Sequence, residues 1–554
     1  MAGSVRVVFL GGLGEIGRNC ACVEIDDRIL VLDCGVLFPD ENMPGIDLVL
    51  PDFSYLWENG DRVEACVLTH GHEDHIGGLP FLVRELSFPV YGSPLTLGLV
   101  GLRLEEAGLS HRVQLRPVGD GDRLQIGPFD LELIPVAHSV PHGFALALHT
   151  PQGIILHTGD FKLDQRPVDG RRTDLARIGA LADSAGIRLL LSDSTNADEP
   201  GYTQSESEVG TVLRRLFAER EGKRIVTTCF ASHLHRIQQI AEAALSTGRV
   251  VATLGRSMAK NVALARQLGL LELPGEALMD IEEAGDLPPG RVCVLSTGSQ
   301  GEPMSAMALM AAGENKWVQV GPDDVVVISA NAIPGNETAV ARVIDGLCRR
   351  GAEVVHPGLE PVHTSGHARQ VELQTMLAVA RPECFVPVHG EFRHLSAHAR
   401  LAESMGVAPE KAVVCEDGDV IVLTDEALVL SAESVPAGYL YVDGTVGEVG
   451  RGVLRDRRAL AEEGVVVVVV AIDGRSGAVV TGPEIVTRGW VHAPEAEELL
   501  EEARGAVLAS LAEAAEAGAT DQDSLRRHVR SAMGQVVAER TRRRPMIVPL
   551  VMEI

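Results

Sequence analysis

Four metal-ligand side chains fall within six positions at His70, His72, Asp74 and His75, in the stretch VEACVLTHGHEDHIGG at 63–78. Imidazole and carboxylate donors together suit zinc-like divalent ions. The spacing differs from H-E-x-x-H, which sets two histidines on one helix face. Here H-x-H-x-D-H follows the apolar run Ala65–Leu68, which reads as a short buried strand. A curved loop after a strand can offer one pair of ligands to each of two ions. A polar surface loop is the plain alternative, and the density of ligand types argues against it.

Further ligand types end other apolar runs: His138 in IPVAHS, Asp160 in GIILHTGDF and His389 in CFVPVHGEF. Any one of them alone would more often be a structural hydrogen-bond partner. Together they imply strand ends feeding a single rim, as in α/β and α+β sites. Asp33, in VLDCG, is expected to orient a ligand histidine from behind. His394 and His398 follow on a predicted helix and read as structural or solvent-exposed.

The elements that must position these residues are spread over 554 positions, enough for two to four domains. No apolar run nears the roughly 18 to 20 residues of a membrane helix. The N-terminal MAGSVRVVFLGG lacks a signal layout, and nine scattered cysteines make neither a disulfide framework nor a CxxC knuckle. A cytoplasmic protein without a membrane partner is expected. The net charge of −28 argues against a non-specific nucleic-acid coat protein. A basic island runs against it, with Lys223, Arg224, Arg236, Arg249, Arg256, Lys260 and Arg266 facing one acid, Glu242. It reads equally as a polyanion footprint or a solvated face.

Val5–Leu10 is strand-like and runs into GGLGEIG at 11–17, a formal G-x-G-x-x-G. A dinucleotide site needs a helix next. Two strand-like runs around Asp26–Asp27 follow instead, so a tight glycine loop is expected. After a turn at 198–201, Ser205 and Glu208 form a capping-box pattern opening a helix. Up to about residue 365, four units repeat a strand, a small-polar loop and a helix, which implies a mostly parallel sheet. Each loop brings Ser, Thr, Asn or Gly to a helix start, where free N–H groups favour phosphate; ordinary capping is the alternative for each. Beyond about 425 the ligand clusters stop. Residues 431–464 read as connecting structure, and strands at 464–472, 478–487 and 546–552 with helices at 494–517 and 523–540 suggest a small α+β domain. Arg526, Arg527, Arg530 and Arg542–Arg544 there fit RNA, a polar helix face or a subunit contact.

The assembled motifs resemble the metallo-β-lactamase fold with a β-CASP insertion, and specifically the bacterial ribonuclease J family, over essentially the whole chain. Asp33, the 70–75 cluster, His138 and Asp160 match the fold motifs. Asp193, His367 in HTSGH and His389 in PVHGEF match the β-CASP motifs. GGLGEIGRN, SDSTNAD, TGSQGEPMSA and SANAIPGNE are similar to ribonuclease J itself. One departure is His142, where the family often has an acidic residue.

The resemblance implies an αββα sandwich at 1–207 and 366–425, an inserted β-CASP α/β domain at 208–365, a linker at 426–463 and a C-terminal α+β domain at 464–554. It implies two zinc ions, Mn²⁺ or Mg²⁺ serving in vitro. His70, His72 and His138 would bind one, Asp74, His75 and His389 the other, and Asp160 would bridge. Asp74, His75, His367 and Asp193 would serve catalysis, with His367 as proton donor or phosphate clamp. Ser365, Gly366, His367, Ser299, Gln300 and His235 would contact substrate, the first three at a helix N-terminus. The implied reaction is hydrolysis of single-stranded RNA, 5′-to-3′ from 5′-monophosphate ends and also internally, in RNA maturation and decay. A homodimer or homotetramer and RNA-decay partner proteins would fit the family. Rival readings are a lactone or thioester hydrolase, a DNA-directed β-CASP nuclease, and a non-catalytic RNA-binding scaffold.

Overall fold

The computed structural model describes residues 4–40, 42–333, 335–444, 447–491 and 496–554. The expected helix start at Pro494, and Pro334 in the loop before the third helix of the repeat, lie outside them. The chain divides into two compact units, Met1–Phe38 with Val49–Tyr439, and Pro39–Leu48 with Leu440–Ile554.

In the first unit two sheets face each other. One has eight strands in the order 428–434, 419–423, 5–11, 20–25, 28–32, 63–67, 89–92 and 114–117. The other has six, in the order 384–388, 187–193, 153–157, 143–150, 129–136 and 123–126. Period-2 alternation explains why the second sheet's strands read as nearly unbroken apolar runs. Leu131, Leu133, Leu146, Leu148, Leu189 and Leu191 point into the core between the sheets. Ile134, Val136, Ala145, Ala147 and Leu190 point outward, against Ile178, Leu181, Leu373 and Met376 of helices Leu175–Ser184 and Gln370–Ala380. Both faces of the sheet's inner strands are therefore covered.

The glycine run behaves as expected. Val5–Gly11 is followed by the short strand Leu13–Gly14, which pairs with Gly390–Glu391, and then by strand Cys20–Ile25, with no helix between. Asp26 and Asp27 take positive φ at the hairpin turn, +48° and +61°.

A third sheet occupies the excursion between strands 187–193 and 384–388. Its six strands, in the order 278–279, 250–254, 292–296, 224–228, 324–328 and 353–355, are all parallel. The four-unit reading misses strand Val250–Leu254 and helix Arg256–Gln267, whose small polar loop is reduced to Gly255. Its fourth unit is split, because helix Gln370–Ala380 packs on the second sheet and not on the third. Ser205 stands at the start of helix Glu206–Glu219 without capping it; its hydroxyl donates to the Arg166 carbonyl instead.

In the second unit, strands 465–472, 479–488 and 546–553 form a sheet with helices Glu497–Glu516 and Gln522–Thr541 against one face. The segment read as connecting structure holds strands Leu428–Ser434, Tyr439–Asp443 and Gly447–Val449 and helix Arg451–Glu463. No helix among the described residues is long and apolar enough to cross a membrane.

Candidate metal centre

Strands 153–157, 187–193 and 384–388 are adjacent and parallel, so the loops after them leave from one edge. These loops carry Asp160, Asp193 at its strand's last position, and His389. Strand 129–136 runs the same way after two antiparallel steps and delivers His138. In the facing sheet, the parallel strands 28–32 and 63–67 end before Asp33 and His70. Sites in α/β sheets form outside the carboxyl ends of strands for this reason.

The ligand atoms gather into groups, each within 4.8 Å of one another: His70, His72, His138 and Asp160; Asp74, His75, His389 and Asp160; and Asp160, Asp193, His367 and His389. In the first, His70 Nε2 and His138 Nε2 approach His72 Nδ1 at 3.0 and 3.1 Å. The other nitrogen of each ring is engaged: His138 Nδ1 donates to the Gly366 carbonyl at 2.8 Å, His70 Nδ1 meets Thr69 Oγ1 at 3.1 Å, and His72 Nε2 meets Ser139 Oγ at 3.3 Å. Three imidazole nitrogens thus converge on one point. In the second group, His75 Nδ1 donates to Asp33 Oδ2 at 2.8 Å, which turns Nε2 towards Asp160 and Asp74. His389 Nδ1 lies 2.7 Å from Thr195 Oγ1, and its Nε2 lies 3.2 Å from Asp74 Oδ2.

Asp160 joins the groups. Its buried Oδ2 has no hydrogen-bond partner, although His75, His70 and His138 Nε2 stand 3.3, 3.6 and 3.8 Å away. A buried carboxylate oxygen without a partner costs free energy unless something cationic meets it. Converging imidazole lone pairs beside that oxygen fit divalent cations with nitrogen and oxygen preference.

Burial holds the His72 imidazole down at about 4 and pushes His70 and His138 well below the ordinary range, which keeps these rings neutral as ligation requires. In the second group burial is outweighed. Asp160, Asp193 and Asp74 hold His389 up to about 10, Asp160 raises His75, and His75 and His389 hold the Asp74 carboxyl well below its usual range.

His367, in the third group, has its side chain 18% exposed, with Nδ1 donating to Asp193 Oδ2 at 2.8 Å. Asp193 Oδ1 accepts from Thr195 N and Oγ1. Ser365, Gly366 and His367 do not stand in a helical first turn, since the helix opens at Gln370. Their loop is tied down by Lys162 Nζ on the Ser365 carbonyl, Asn196 on Ser365 Oγ and the His367 carbonyl, and Thr203 Oγ1 on the His367 carbonyl.

The remaining expected substrate contacts lie in other surroundings. The buried Gln300 amide donates to the Asn331 carbonyl and accepts from Ile333 N, holding one loop against the next. Ser299 is buried, and neither residue bonds to the histidine groups among the described residues. His235 is buried with Nε2 3.1 Å from Asp169. Of the expected loops, Ser305 caps its own helix and Ser329 Oγ donates to the Val362 carbonyl. Most of the basic island has partners within the chain, and two of its seven residues, Arg236 and Arg249, are buried. Arg236 is fully buried against Glu206, Ser329 and Val362, and Arg249 caps the carbonyls of Phe217, Arg220 and Lys223. Arg224 pairs with Asp324, Lys223 with Glu353 and Lys260 with Glu106.

Residues that sequence reasoning missed sit just behind the ligands. Thr69 joins Asp33 to His70. Asn19 Nδ2 reaches the Asp74 carbonyl and His75 Nε2, each at 3.1 Å, and Thr195 holds His389. Thr69 and Thr195 adjoin singled-out residues and were findable by asking what fixes each ring. Lys162 was not, because its partner lies 203 positions away.

Family models match in four places: "Ribonuclease J, beta-CASP domain" at 222–347, "Ribonuclease J C-terminal domain" at 452–554, the metallo-beta-lactamase superfamily at 13–193, and "Zn-dependent metallo-hydrolase RNA specificity domain" at 353–414. Ribonuclease J of Thermus thermophilus is 44% identical over 99% of this chain and 95% of its own length. Ribonuclease J 1 of Streptococcus pyogenes is 39% identical over 99% and 97%, and Ribonuclease J2 of Bacillus subtilis 38% over 100% and 99%. A crystal structure of a protein of unknown function from Enterococcus faecalis V583 matches with TM-score 0.54 at 18% identity, over 76% of this chain and all of that one, and shows the fold alone.

Proposed function

The chain belongs to the ribonuclease J family of the metallo-β-lactamase superfamily, and we propose that it works as a two-zinc ribonuclease. It hydrolyses single-stranded RNA from the 5′ end, favouring a 5′-monophosphate, and also cuts internally, in cytoplasmic RNA maturation and decay. The domain limits that accompany this reading are 1–207 with 366–425, 208–365, 426–463 and 464–554. The observation that carries it is two nitrogen-rich ligand groups meeting at one buried carboxylate oxygen that has no hydrogen bond of its own.

His70, His72 and His138 are assigned to one ion, Asp74, His75 and His389 to the other, and Asp160 to both. Bound divalent ions supply charge to polarise a phosphate oxygen and to bring a water's ionisation near neutral pH. The chain's own residues do the rest. Asp33, Gly366 and Thr195 fix which nitrogen each ligand ring presents. Asp193 holds His367 by Nδ1, which leaves Nε2 to pass a proton to the departing 3′-oxygen. Burial opposes charge on that ring, but Asp193 outweighs it and raises the imidazole pKa, which favours the protonated form an acid needs. Scission this way leaves a 3′-hydroxyl and a 5′-phosphate.

Product analysis with defined metal tests the reading. Mononucleotides from 5′-monophosphorylated RNA, slower attack on 5′-triphosphorylated RNA and internal cuts in circular RNA are expected. Equal cleavage of matched DNA, or no cleavage of RNA by the zinc-loaded protein, would overturn it.

A further inference from the structure

Four of the seven cations in the basic island at 223–266 (Lys223, Arg224, Arg236 and Lys260) are paired with carboxylates and Arg249 with carbonyls, so RNA approaching a chain of net charge −28 gains from cations elsewhere. Seven arginines stand within the nineteen positions 526–544 (Arg526, Arg527, Arg530, Arg540, Arg542, Arg543 and Arg544) against one acid, Glu539. No other stretch of that length in the chain holds as many. Four lie on helix Gln522–Thr541, and three follow its C-terminus before strand Met546–Glu553.

The helix is anchored by another face, where Leu525, Val529, Met533 and Val537 are buried in the core of this unit. The arginines do no packing there, and all seven are exposed. Arg526 leans on Asp523 at 3.5 Å and Arg540 on Glu502 at 3.3 Å. The other five have no ion-pair partner among the described residues. A helix dipole favours cations in its last turn, which accounts for Arg540 and Arg542. It does not account for Arg527 and Arg530, about three turns earlier. Every cation of the run is arginine, whose planar fork of donors matches phosphate oxygens and is weakly hydrated.

We propose that this arginine surface binds the phosphate backbone of single-stranded RNA, as an accessory site that long substrates use in addition to the nuclease centre. The proposal rests on the ribonuclease reading. The surface reads no sequence, because phosphate contacts carry affinity and salt dependence without base information.

The test compares kcat/KM of the zinc-loaded full chain on a 5′-monophosphorylated 40-mer and a pentamer of the same sequence type, from low to moderate KCl. The triple variant Arg542→Gln, Arg543→Gln, Arg544→Gln should lower the 40-mer value about tenfold at moderate salt. It should also flatten the log–log salt dependence by about 2, since each single-strand phosphate contact contributes about 0.7. The pentamer value should move less than twofold. The pair Arg527→Gln, Arg530→Gln, on a solvent face remote from the helix end, gives the same direction if the triple variant folds poorly. Equal losses on both RNAs, or no loss on either, would overturn the proposal. So would a change of oligomeric state by light scattering with an unchanged salt slope, which assigns the arginines to a subunit contact. If the unmodified protein cleaves neither RNA, it is the ribonuclease reading that fails.

Discussion

Each ligand ring around Asp160 is aimed by a neighbour that is not itself a ligand. Asp33 accepts from His75 and, through Thr69, orders His70. Asp33→Ala should therefore cost about 10- to 100-fold in zinc affinity, measured by competition with a chromophoric chelator; unchanged affinity would remove Asp33 from the centre. Removing His367 should act on turnover. For His367→Ala a kcat loss of about 10²- to 10⁴-fold is expected, with KM and zinc content little changed. A loss confined to KM would make the residue a phosphate clamp. The pH profile separates these further. A proton donor must be protonated, so activity falls as pH rises through its pKa. Asp193 raises that pKa, so Asp193→Asn should move the basic limb to lower pH, read from kcat against pH.

Between elements, the metal loop also rests on backbone, with Asn19, Cys34 and Val36 N–H groups donating to the Asp74, His75 and Glu73 carbonyls. Gly35 lies directly beneath it: a Cβ there would stand 1.6 Å from the Asp74 carbonyl oxygen, which cannot yield without moving the loop. Gly35→Ala should destabilise the first unit by about 1–3 kcal/mol and weaken zinc binding together, seen by thermal melting with and without the metal. The insert is tied back by a buried pair. Arg236 holds Glu206 before the insert, Ser329 at the end of a central strand, and Val362 on the segment leading to His367. Glu206→Gln strands a buried guanidinium, at a cost of about 3–5 kcal/mol, measured by denaturant unfolding. The strands were legible because their apolar periodicity is local. The fate of the polar loops was not, because Gln300, Ser329 and Arg236 take their partners from segments tens of residues away.

Across the whole molecule, buried neutral histidines set an acid limit. Burial holds His398 at about 3 and His233 at about 4, both below the roughly 6.5 of an unfolded chain. The stability they contribute is fully present above pH 6.5 and is lost as pH falls towards those values, since only the unfolded state takes up the protons. At pH 5 each should cost about 2 kcal/mol. His398→Met should remove its share of the midpoint shift between pH 7 and pH 5, followed by scanning calorimetry. His394 is buried as well, so both histidines of helix Phe392–Ser404 are structural and neither is exposed. The acidic balance of the chain was plain from composition, but its electrostatic surface was not. Pairing with carboxylates engaged Lys223, Arg224, Arg236 and Lys260 of one basic segment and left most of another exposed and unpaired among the described residues.

Sequence alone supplied the inventory of candidate ligands, since H-x-H-x-D-H, His138, Asp160 and His389 are recognisable by type and by standing where apolar runs end. It also determined the layered α/β character, because strand periodicity and alternation with helices are short-range properties. Tertiary structure alone decided which nitrogen of each histidine faces inward, since the atoms that choose lie 42 positions away for His75 and 228 for His138. It likewise decided that one oxygen of Asp160 is shared and unsatisfied, and which arginines remain free for RNA. Hydrogen bonding and charge pairing are settled by distance in space, and a linear order of residues does not contain it.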